Sequence, residues 1–95
     1  METKVRNMEN PTSGNIVANQ FILENNKYYT FQSYQTIIAK IEKGFLGKTI
    51  LDNNALKYSR TTTKYLKVFL DNNLSTKEIQ QRVNTGAYKT RNLNK

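Results

Sequence analysis

Apolar residues recur at two spacings along this chain, one in each half. From Ile16 to Leu51 they come in short runs rich in β-branched and aromatic side chains, and from Tyr58 onward they recur three and four residues apart. The first habit belongs to strands and the second to helices. Ile16 to Glu24, with Val17, Phe21, Ile22 and Leu23, predicts a strand, and Asn25-Asn26 a turn after it. Lys27 to Tyr34 predicts its hairpin partner, in which Tyr29, Phe31 and Ser33 point to the core and Tyr28, Thr30, Gln32 and Tyr34 point away. Gln35 to Glu42 holds Ile37, Ile38, Ala39 and Ile41 and predicts a third strand near the sheet centre. A turn bounded by Gly44 and Gly47, with Phe45 and Leu46 at its tip, leads to a short fourth strand, Thr49 to Leu51. Residues 1–15 are polar, contain the only proline, Pro11, and show no apolar period. They are expected to form a flexible N-terminal arm ahead of a domain over residues 16–95.

In the second half, a rotation of about 100° per residue puts Tyr58, Thr62, Tyr65, Leu66, Phe69 and Leu70 on one face. Lys57, Arg60, Lys64 and Lys67 fall on the other. The helix is expected to start between Ala55 and Thr61, with Asn54 and Ser59 as candidate N-caps. An early start aligns four cations in one row; a late start leaves Lys57 and Arg60 in the approach loop. Ser75 and Glu78 stand at capping-box spacing ahead of Ile79 and Val83, and Gly86 stands where a C-terminal glycine belongs. They predict a second helix from Thr76 to about Thr85. The tail alternates in a way that suits one last edge strand. Sheet first and helices second is the α+β pattern. The expected fold is a four-stranded, mainly antiparallel sheet followed by two helices, extended by that edge strand.

Composition narrows the chemistry. In 95 residues, 37% hydrophobic, there is material for one modest core. Without cysteine there is no thiolate chemistry, and without histidine the usual zinc sites and imidazole acid–base catalysis are excluded. The seven carboxylates lie among asparagines and lysines with no paired acidic motif, so no metal site, cofactor or catalytic residue is expected. Ser59 or Thr62 beside Lys64 has the atoms of a nucleophile and base, but hydroxyls at a helix start are usually caps. The run Thr36 to Ala39 is far too short to span a bilayer, and no signal-peptide pattern opens the chain. The expected setting is the cytoplasm of a host bacterial cell.

Charge sharpens the reading. Residues 1–42 balance Lys4, Arg6, Lys27 and Lys40 against Glu2, Glu9, Glu24 and Glu42, so the whole net charge of +8 lies in residues 43–95. Such asymmetry points to a polyanion. Direct, non-catalytic nucleic-acid binding is expected through Lys57, Arg60, Lys64 and Lys67, joined by Lys89 and Arg91 from the tail. The outward set Tyr28, Thr30, Gln32 and Tyr34 suits stacking of unpaired bases, although tyrosine is also a common strand residue.

Two local likenesses carry little. Gly44 to Gly47 has the G-x-x-G of KH-domain loops but joins strands, not helices. Leu74-Ser75-Thr76-Lys77-Glu78-Ile79 resembles the opening of response-regulator helix-turn-helix units, but only nine residues follow Gly86, too few for a recognition helix. A broader pattern runs from Asn19 to Leu93: N-Q-F-I at Asn19 to Ile22, F-Q-S-Y-x-T-I-I-A at Phe31 to Ala39, Y-S-x-T-T-x-K-Y at Tyr58 to Tyr65, and Phe69-Leu70. It resembles a family of small phage and mobile-element proteins of unknown function. The resemblance implies a small accessory protein. The alternative to direct binding is inhibition of a host nucleic-acid-handling or defence complex in the manner of an anti-CRISPR protein. Such an inhibitor would dock by protein–protein contact through Tyr28, Tyr34, Phe45 and Leu46.

Overall fold

The computed structural model describes residues 3–44, 47–70 and 74–94. Its elements are β1 (Lys4–Glu9), β2 (Ile16–Glu24), β3 (Tyr28–Ser33), β4 (Thr36–Glu42), β5 (Thr49–Asp52), α1 (Arg60–Leu70), α2 (Thr76–Asn84) and β6 (Tyr88–Arg91). The six strands lie in chain order in one sheet. Neighbours from β1 to β5 are antiparallel, while β6 runs parallel to β5. A parallel neighbour cannot be reached by a hairpin and needs a crossover. Here α1 and α2 supply it.

The α+β class and the two helices are as expected, but the sheet is larger: six strands, mixed, rather than four with an added edge. The additional strand is β1, inside the stretch read as an arm. Only Met8 among its six residues is buried, so an apolar period had nothing to register. A register shift between Asn7 and Glu9 marks the place where Met8 joins the core. Glu24 ties this edge to the β4–β5 turn, accepting from Lys43 at 2.8 Å and Arg6 at 3.4 Å. The Lys43 hydrogen bond is the main reason its carboxyl is held below the usual range.

Register sorts the side chains into two faces. Ile22, Phe31, Ala39 and Leu51 are successive cross-strand partners. They form the core with Tyr65 and Leu66 of α1, Ile79 of α2 and Tyr88 of β6. Both helices therefore cover the same face. Phe31 is fully buried, its ring centroid 5.8 Å from that of Phe69. The second cross-strand row reads Val5, Leu23, Thr30, Lys40, Ile50 and Lys89. Ile50 is buried but stands outside the core cluster, as a residue on the other face must.

The helix starts are set by hydroxyls. Ser59 Oγ accepts from the Thr62 amide at 3.2 Å, so α1 begins late, at Arg60. Three consecutive threonines make the first turn of α1 itself a weak helix former, and the cap decides the start. In α2, Ser75 Oγ accepts from Glu78 N while Glu78 Oε1 accepts from Ser75 N, each at 3.1 Å. That reciprocal pair is worth about 1 kcal/mol. Gly86, at φ 84°, follows the last turn in the left-handed region that glycine tolerates best.

Candidate nucleic-acid interface

Arg60, Lys64 and Lys67 occur at spacings of four and three, and the late start of α1 still includes all three. With Tyr58, Thr63 and Thr76 they line an open groove of about 370 Å³ on the outer side of α1. The opposite side of the helix, Tyr65 and Leu66, is buried in the core, which fixes the rotation of the cationic row. Lys64 Nζ lies 5.5 Å from the Tyr65 ring centroid, in range of a cation–π contact. Among the described residues both ion pairs end on Glu24, so none of the three α1 cations is neutralised by a carboxylate there.

The approach to α1 is organised by Asp52. Its side chain accepts from Asn54 N at 3.0 Å, Tyr58 Oη at 3.2 Å, Leu93 N at 3.0 Å and Asn94 Nδ2 at 3.1 Å. Burial pushes the carboxyl up, but these four donors outweigh it and hold it below its ordinary value. The same contact raises the Tyr58 phenol, first through burial and then through the Asp52 charge. Asn94 also reaches β4, accepting from Ile37 N at 2.6 Å and donating to Ile37 O at 3.0 Å, much as a neighbouring strand would. Beneath the groove, Thr62 and Ser33 share a buried hydroxyl bond of 3.0 Å that pins the first turn of α1 to β3.

The six expected cations do not form one surface. Lys57 sits in the turn before α1, its amide bonded to Asn54 O at 2.9 Å, and is outside the helical row. Lys89 and Arg91 belong to β6, where they alternate with Tyr88. Tyr88 is in the core and accepts from Arg82 of α2 at 3.0 Å. Its two basic neighbours therefore project from the sheet face that the helices leave uncovered, across the sheet from α1.

The aromatic set also divides. Tyr28 is half-buried on the uncovered face, with Lys40 Nζ 5.1 Å from its ring centroid. Thr30, read as outward and available, is only 8% exposed at the centre of that face. Tyr34 is not a strand residue: it occupies the β3–β4 turn at φ 55°, held by its amide on Asn19 O at 2.7 Å, and is 59% exposed. Phe45 and Leu46 lie outside the described residues. Two groups escaped sequence reasoning. The Asp52 cluster had one local signal, the D-N-N run that forms an Asx turn, but its donors Leu93 and Asn94 are remote in sequence. Phe21 and Lys40 lie beside Tyr28 and Tyr34, a grouping that only the strand registers reveal.

Among the described residues no three metal-ligating side chains gather, and no helix is long and apolar enough to cross a membrane. No curated protein and no solved structure matches the chain. A family described as a family of unknown function, DUF8033, matches over residues 3–85, from the start of β1 through the C-cap of α2. The elements that build the α1 groove fall within that match, and the chain belongs to this family.

Proposed function

We propose that the protein binds nucleic acid, without catalysis, through the cationic side of α1. One observation carries the reading: Arg60, Lys64 and Lys67 share a single groove with no carboxylate partner among the described residues. At about 1.5 Å of rise per residue the three span about 10 Å of helix. A duplex presents one negative charge per roughly 1.7 Å of its axis, so a row of this length meets several phosphates at once. The uniform sign of the row favours phosphate contacts, which set position and affinity rather than base sequence. The apolar side of α1 is occupied by the core, which disfavours the alternative of a helix lying in a membrane surface. The residue pattern from Asn19 to Leu93 adds the setting of a phage or mobile-element accessory protein to this proposal.

The test is a salt titration of binding to short duplex DNA, read by fluorescence anisotropy. Three phosphate contacts give a log–log slope near −2.7 and a loss of roughly fortyfold between about 50 and 200 mM salt. Replacing Arg60, Lys64 and Lys67 together by alanine is expected to remove most of that slope while leaving the urea midpoint in place, since all three project from the outer side of α1. A wild-type protein that fails to bind duplex at low salt, or a triple variant with an unchanged slope, would sink the proposal.

A further inference from the structure

The sheet face turned away from the helices is a second surface with its own chemistry. No described element covers it. Tyr28 stands on it beneath the Lys40 ammonium. Phe21 and Tyr34 share a depression of about 500 Å³ with Asn19 near the other end of β3. Phe21 pairs with Gln32, four residues along β3 from Tyr28, which separates the two aromatic positions by roughly 14 Å at ordinary strand geometry. Lys89 and Arg91 border the same face on β6, both exposed. Three described carboxylates lie on that side by register: Glu9, opposite Ile16 at the β1 edge, and two nearer the cations. Glu42 is opposite Tyr28, and Asp52, opposite Arg91, is already engaged by four donors. Lys40, Lys89 and Arg91 therefore outweigh Glu9 and Glu42 as the charges a ligand would meet.

We infer that this face binds single-stranded nucleic acid, with bases stacked on Tyr28 and on the Phe21–Tyr34 pair and the backbone running along Lys40, Lys89 and Arg91. A flat sheet offers ring faces that only unstacked bases can reach, because a duplex keeps its base faces inside. Rings on the β2–β3 side and cations on β4 and β6 match a strand that lays its bases along one side of its phosphate backbone, whereas a protein-docking patch concentrates apolar groups at its centre. Lys40 has a part in both states. It rests over the Tyr28 ring in the free protein, and when a base takes that place the ammonium lies within reach of the adjoining phosphate. The main-chain anchor of Tyr34 on Asn19 fixes the backbone from which the exposed ring projects before any ligand arrives, which lowers the ordering cost of binding.

This site is on the far side of the sheet from the α1 groove and does not depend on it. The experiment uses labelled oligo-dT and oligo-U of about twelve nucleotides beside a duplex of the same length. The variants are Tyr28→Ala, Tyr34→Asn, Lys89→Glu with Arg91→Glu, and the α1 triple alanine. Asparagine suits position 34 because it tolerates the left-handed backbone there. Tyr28→Ala and Tyr34→Asn should each weaken single-strand binding roughly tenfold and leave duplex binding unchanged. The β6 charge reversal should weaken it further and flatten its salt slope. The α1 triple variant should leave it intact, so loss of one reading is separable from loss of the other. A wild-type protein that ignores single strands at low salt would overturn the inference. So would a Tyr34→Asn variant of unchanged urea midpoint and unchanged affinity, or single-strand binding that disappears with the α1 cations alone.

Discussion

Replacing Phe31 by alanine is expected to lower the stability of the fold by about 4 kcal/mol. Phe31 is fully buried on β3, between its cross-strand partners Ile22 and Ala39, and its ring meets Phe69 of α1. Truncation removes the transfer energy of the ring, leaves a cavity and loses the aromatic contact between sheet and helix. The neighbours cannot close the gap cheaply. Ala39 is too small to fill it, and α1 is held to β3 at its first turn by the bond between Thr62 and Ser33. Against a total of about 5 to 15 kcal/mol for a protein of this kind, such a loss is a large share. Urea unfolding reads it as a lower midpoint at unchanged slope. A midpoint shift of less than a quarter of the total would mean that sheet and helix are not packed as described.

Asp52→Ala is expected to cost about 3 kcal/mol and to act on residues far from it in sequence. It deprives Asn54 N, Tyr58 Oη, Leu93 N and Asn94 Nδ2 of their acceptor in a site only 4% exposed. Hydrogen bonds to a charged group are worth roughly 1.5 to 3 kcal/mol apiece, but the tail donors regain water when they detach, so the loss is well below the sum. The pH dependence follows from the direction of the shift. The folded carboxyl has a pKa below its unfolded value, so its contribution is fully present above the unfolded pKa and disappears as pH falls through the folded one. Asp52→Asn removes that titration. Its stability should therefore vary less than wild type as pH is lowered below about 4, and equal acid sensitivity in the two proteins would exclude Asp52 as a source.

What the sequence discloses here depends on how local each signal is. The capping box of α2 needs only Ser75 and Glu78, three residues apart, and reads directly. Strands β2 to β4 announce themselves because each is a run of β-branched, aliphatic or aromatic residues around its core positions Ile22, Phe31 and Ile38–Ala39. Strand β1 does not, since an edge strand with one buried side chain has the composition of a loop. The start of α1 is ambiguous across three threonines until Ser59 is seen to cap it. Spacing along the chain correctly groups Arg60, Lys64 and Lys67, which share one helix. It does not place Lys89 and Arg91 of the tail relative to that row, because the face on which a strand residue emerges depends on a partner, β5, that lies far back in the sequence.

That distant pairing has a kinetic consequence. Each antiparallel neighbour in the sheet closes through a short turn, whereas Thr49 meets Tyr88 across 39 positions, 88 minus 49. Bringing such remote segments together carries a larger entropic cost and is rewarded only after the intervening helices have docked. Strand β6 is thus expected to be secured late in folding and released early in partial opening. Amide exchange should find Lys89 and Thr90 far less protected than Phe31 or Leu51, and equal protection would contradict this order. The half of the uncovered face that holds Lys89 and Arg91 would then come and go by local opening, making its capture of a ligand a reporter of whether the whole sheet is closed.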